Sequence, residues 1–195
     1  MTKGRLEAFS DGVIAILITI MVIELHAPQG NDLAALGPVV PVLMSFVLSF
    51  VFLAIYWNNH HHLMHAVKRI NGMVLWANMH LLFWLSLIPF VTAWMGASRF
   101  AAIPVAAYGC VLLAAGIAYY VLSRALIAGH PENATLAIAV GRDGKGIASL
   151  VLYAIAVAVA LKWPLVSCGI YIVVAIMWLI PDSRIERVLA AGPDA

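Results

Sequence analysis

The chain has 195 residues, 64% of them hydrophobic and 10% charged, with a formal net charge of +2 and a mean hydropathy of +1.00. Soluble domains average roughly 45–50% apolar and about 25% charged residues, so this composition belongs in a bilayer. It leaves no length for a separate soluble enzyme domain, and so small a net charge offers no electrostatic footprint for nucleic acid.

A hydrocarbon core of about 30 Å needs about 20 mostly apolar residues per span, and only helices satisfy their own backbone there. Six stretches qualify: about Leu6–Leu25, Leu36–Trp57, Met73–Trp94, Ile103–Leu122, Ile147–Leu161 and Leu165–Ile180. The fifth is the shortest. Lys3 and Arg5 precede the first run as in a signal peptide, but the run is too long for one. The following "ELHAPQGND" also lacks a small-residue cleavage site, so a retained span is expected. Pro and Gly punctuate the joints at "APQGND", "MGAS", "GHPEN", "GRDGKG", "KWP" and "IPDS". The expected fold is an all-α membrane protein, a single six-helix domain over residues 1–195.

With six spans both termini share one side. That side receives Lys3, Arg5, Lys68, Arg69, Arg124, Arg142, Lys145, Arg184 and Arg187, against Arg99 and Lys162 on the other. The positive-inside rule then places both termini in the cytoplasm. Cys110 and Cys168 both sit inside apolar runs and read as small buried hydrophobes.

Ionisable groups inside spans are costly and therefore suggest function. The first span opens with Arg5, Glu7, Ser10 and Asp11. The second ends in "YWNNHHHLMHAVKR", and the third holds Asn78 and His80. Asp11 and the histidines from His60 to His65 lie near one membrane face under this topology. At 100° per residue Ile16, Thr19, Ile20 and Ile23 fall within roughly a 100° arc, from which Asp11 points away. Packing face and pore wall both fit such a stripe, and periodicity does not choose.

Three consecutive histidines do not converge on one ion. His61 and His65, at i and i+4, share a face, but no cysteine or second carboxylate stands nearby to complete a site. Hydrogen-bonding histidines are expected, with no tightly bound metal and no cofactor. Ser10 has no base partner in sequence, and no Gly-rich phosphate loop occurs, so hydrolase and nucleotide chemistry are not indicated.

Arg5, Phe9, Ser10 and Asp11 fit the R-x-x-x-F-S-D signature that opens the first helix in the transmembrane protein 175 family. Trp57, His60, His61, Asn78 and "LIPF" at Leu87–Phe90 resemble that family's second and third helices. The resemblance implies a potassium-permeable cation channel of the bacterial inner membrane, not an enzyme, without a T-V-G-Y-G filter. None occurs here. It implies a homotetramer with four first helices around a central pore, whereas animal members carry two six-helix repeats per chain. Partners are then other copies of the chain and the lipid bilayer. The family's pore constriction falls on Ile16, with Thr19, Ile20 and Ile23 further along the pore and potassium passing transiently near Ile16 and Thr19. Arg5, Phe9, Ser10, Asp11, Trp57, His60, His61 and Asn78 become a structural network at the cytoplasmic end of the pore helix.

A ring of isoleucines closes a narrow bore by expelling water and reopens it by rewetting. Thr19 offers hydroxyls beside the constriction, and its own intrahelical bond to the Ala15 carbonyl is compatible with that role. Glu24 is either a cation-attracting acid or a solvated one. The alternative is a proton-coupled secondary transporter using Asp11 and His60 to His65, which would need polar sites near the midplane at broken helices.

Overall fold

A computed structural model describes residues 2–67, 69–129 and 144–179. Lys68, Arg142, Arg184 and Arg187, and most of the loop between Ala128 and Gly146, lie outside the described residues. Within them there are seven α-helices: α1 Lys3–Ile23, α2 Val40–His65, α3 Gly72–Ser86, α4 Ile88–Ala97, α5 Ala102–Gly129, α6 Gly144–Ala160 and α7 Pro164–Leu179. A short 3-10 turn, Leu33–Leu36, lies between α1 and α2.

The helices make six apolar passes, because α3 and α4 together form one stretch, Gly72–Ala97, broken at Leu87. Pro89 explains the break. It has no N–H to give to the carbonyl four residues back, and its ring crowds the preceding turn. The chain responds with a bond from the Leu87 N–H to the Trp84 carbonyl before α4 starts with Pro89 in its first turn. Four passes are long and apolar enough to cross a membrane, and α6 and α7 are shorter apolar helices of 17 and 16 residues.

Caps come from the sequence locally. Asn71 Oδ1 accepts the Val74 N–H at 2.9 Å at the start of α3, and Asp32 Oδ1 accepts the Ala35 N–H at 3.0 Å at the 3-10 turn. The turn from α4 to α5 uses two successive left-handed residues, Arg99 (φ 51°) and Phe100 (φ 61°), which carries the Phe100 N–H back to the Met95 carbonyl.

The core runs through the middle of the bundle. α5 lies centrally, packed on α3, α4, α6 and α7, while α2 packs on α4 and α7. Tyr108, Tyr171, Phe52, Leu53, Leu81, Leu85 and Leu112 are fully buried there. Glycine permits two of the close crossings. A Cβ on Gly96 would stand 2.8 Å from the Val42 backbone of α2, and one on Gly109 would collide with the Tyr171 hydroxyl. α1 sits at the margin, against α2, α3 and α4. Only 28% of its apolar window is covered by its own chain, against 50% for the Gly72–Ala97 pass.

Candidate functional site: the first helix and its polar anchor

α1 turns one face inward. Leu6, Ser10, Ile14, Leu17 and Met21 are buried, at the three- and four-residue steps of a helical face. The stripe of Ile16, Thr19, Ile20 and Ile23 is rotated about 130° from the centre of that face. It stands outside the subunit: Ile16 is 58% exposed, Ile20 41% and Ile23 75%, and Thr19 is exposed as well. The Thr19 hydroxyl donates to the Ile16 carbonyl at 2.8 Å, rather than to that of Ala15. Its oxygen keeps lone pairs for a partner outside the helix.

The buried face is held by a chain of side-chain bonds whose direction can be derived. Asn78 Nδ2 donates to Ser10 Oγ at 2.9 Å, so the other amide atom, Oδ1, must accept. Its partner at 2.8 Å is His60 Nε2, which therefore carries the proton. Ser10 Oγ passes its own hydrogen to the Leu6 carbonyl at 2.9 Å. His60, Asn78 and Ser10 are all fully buried, so this relay joins α2, α3 and α1 out of contact with solvent. His60 Nδ1 makes no hydrogen bond among the described residues. In this tautomer it is a bare acceptor, less costly to leave alone than an N–H.

A second set of contacts lies at the rim. Trp57 Nε1 donates to Asp11 Oδ1 at 3.0 Å at an exposed position. The Trp57 ring stacks on His61 at 5.8 Å. Glu7 Oε1 stands 3.5 Å from His61 Nδ1 and 3.9 Å from His65 Nε2. The sequence-expected network is thus divided. Ser10, Asn78 and His60 meet in the interior, and Asp11, Trp57 and His61 meet at its edge. Among the described residues Arg5 and Phe9 do not join either group, for both are exposed and lie on the stripe side of α1. Glu24 is exposed just after α1.

A second buried relay was not anticipated from the sequence. The Thr92 hydroxyl donates to the Ile88 carbonyl at 2.7 Å and so accepts from Ser49 at 2.6 Å. Ser49 in turn accepts from the Tyr108 hydroxyl at 2.9 Å. It ties α2, α4 and α5. The sequence did not single these hydroxyls out, because Ser45, Ser86 and Tyr119 stand in the same apolar spans. A cleft lined by Phe52, Tyr56, Tyr119, Tyr153 and Trp178 lies away from the stripe, and no residue of α1 contributes to it.

Comparison with known proteins adds four findings. The family model described as endosomal/lysosomal potassium channel TMEM175 matches residues 5–89, which take in α1 from Arg5 onward, α2 and α3. A curated potassium channel of a Chryseobacterium species is 50% identical over 97% of this chain and 98% of its own length. One from Streptomyces collinus is 32% identical over 62% of each chain. Among solved structures, the crystal structure of a lysosomal potassium-selective channel TMEM175 homolog from Chamaesiphon minutus is similar with a TM-score of 0.76. It is 27% identical, and the match covers 91% of this chain and 96% of that one.

Proposed function

The chain belongs to the TMEM175 family of potassium channels, and from that membership we infer that it is a potassium-permeable channel of the membrane and not an enzyme. The observation that carries the finer reading is the outward position of the Ile16, Thr19, Ile20 and Ile23 stripe. Four copies of the chain bring four such stripes to one axis, a closed cyclic arrangement with a single conduction path.

Exposure alone fits lipid as well as a pore, and the polar residues on the stripe support the pore. Arg5 lies about three turns below Ile16 and within about 20° of its direction, and Thr19 lies between Ile16 and Ile20. A line that presents a guanidinium and a hydroxyl suits water and ions better than hydrocarbon. The isoleucines then form a collar that closes by dewetting, and Thr19 supplies oxygen where a potassium ion has shed part of its water. Selectivity follows from the lower cost of stripping water from potassium than from sodium. No resident cofactor is needed, and potassium is the permeant ion.

The transporter reading has less support. Its broken helix exists, at Leu87, but residues 84–91 contain no ionisable side chain. Asp11 is engaged by Trp57. The basic residues Lys3, Arg5, Arg69, Arg124 and Lys145 support a bacterial inner-membrane protein with both termini in the cytoplasm.

Single-channel recording of Ile16→Asn tests the collar. An amide wets the constriction, so sodium permeability relative to potassium is expected to rise severalfold, read as a shift of reversal potential under opposed gradients. An unchanged reversal potential would place the constriction elsewhere.

A further inference from the structure

His61 and His65 share one face of α2, and the sequence leaves them one ligand short. Glu7 of α1 supplies it. One ligand atom from each of Glu7, His61 and His65 lies within 4.8 Å of the others. We propose that these three residues bind one divalent transition-metal ion of the zinc class, bridging α1 and α2.

Donor type and spacing carry the proposal. Two imidazoles and one carboxylate form a nitrogen-rich set that favours zinc, nickel, cobalt and copper over magnesium and calcium. Zinc–nitrogen and zinc–oxygen bonds of about 2.0–2.2 Å at tetrahedral angles place neighbouring ligand atoms about 3.4 Å apart. Glu7 Oε1 already stands 3.5 Å from His61 Nδ1 and 3.9 Å from His65 Nε2. Small side-chain rotations close the remaining gap. The two imidazole rings meet edge to face with centroids 4.4 Å apart, and stacking on Trp57 fixes the His61 plane. His61 and His65 keep 39% and 59% of their side-chain surface exposed, which gives the ion an entry path and a water for the fourth position.

The site rests on these atoms alone and not on the pore reading, so it is tested by binding. Metal-free full-length protein in detergent is titrated with Co²⁺, which shows visible bands when four-coordinate, and then with Zn²⁺. One ion per chain is expected, with zinc displacing cobalt. Loss of even an outer-shell partner costs a metal site about 10–100-fold, so Glu7→Gln and the double variant His61→Ala/His65→Ala are expected to weaken binding by at least that much. His62→Ala, on the same helix but outside the cluster, is expected to bind as the native chain does. Should the double variant fail to fold, the exposed single change His65→Gln carries the comparison. Absence of saturable binding in the native chain would overturn the proposal and leave Glu7 with a surface ion pair only. So would native affinity in the His61 and His65 variants.

Discussion

Asn78 accepts from His60 and donates to Ser10 with no exposure to solvent, so truncating its amide strands a donor and an acceptor together. Each stranded buried group costs about 1–3 kcal/mol. Asn78→Ala is therefore expected to lower thermal stability in detergent more than Asp11→Ala, whose bond from Trp57 lies at an exposed position. The opposite order would show that the rim, not the interior relay, anchors the first helix. The set of polar residues was legible in the sequence, since Ser10, Asp11, His60 and Asn78 stand out against apolar spans. Their pairing was not. Nothing local tells Asn78 to bond Ser10 rather than Arg5, because partners on different helices are fixed by how those helices cross. Glu7 shows the same limit, as its contact with His61 and His65 depends on the crossing of α1 and α2.

The helices themselves were largely visible, because bilayer thickness imposes a length and backbone satisfaction imposes a helix. The expected third span, Met73 to Trp94, nevertheless spans two helices, and Pro89 was the mark of the break. The second span also continues past Trp57 to His65, so His61 and His65 share a helix face as their spacing implied. Crossings are where helices are most sensitive to a single methyl. At Gly96 an added Cβ would lie 2.5 Å from Ser45 Oγ and 2.8 Å from the Val42 Cα. Gly96→Ala is thus expected to force α2 and α4 apart at a cost of about 1–3 kcal/mol, the usual range for overpacking. Gly72→Ala, where nothing stands within 4 Å, provides the reference. Equal melting temperatures for the two variants would contradict the tight crossing.

At the scale of the molecule, the marginal position of α1 matters most. A helix whose apolar window is only 28% covered by its own chain must meet lipid, other subunits or water over the rest. The stripe was readable from the helical period, but its destination was not, because apolar side chains suit packing, lipid and a dry collar alike. What separates these is assembly, which no property of one chain encodes locally. The polar line from Arg5 through Thr19 and the family membership are what support the proposal that the stripes meet at an axis.

The measurement that decides the matter is a density map of the assembled protein in lipid nanodiscs, read at Ile16. Four Ile16 side chains, one from each subunit, should surround a central axis as its narrowest ring, with Thr19 facing the same bore. A map that puts Ile16 and Thr19 against lipid, or shows a path for ions bounded by other helices, would contradict the account.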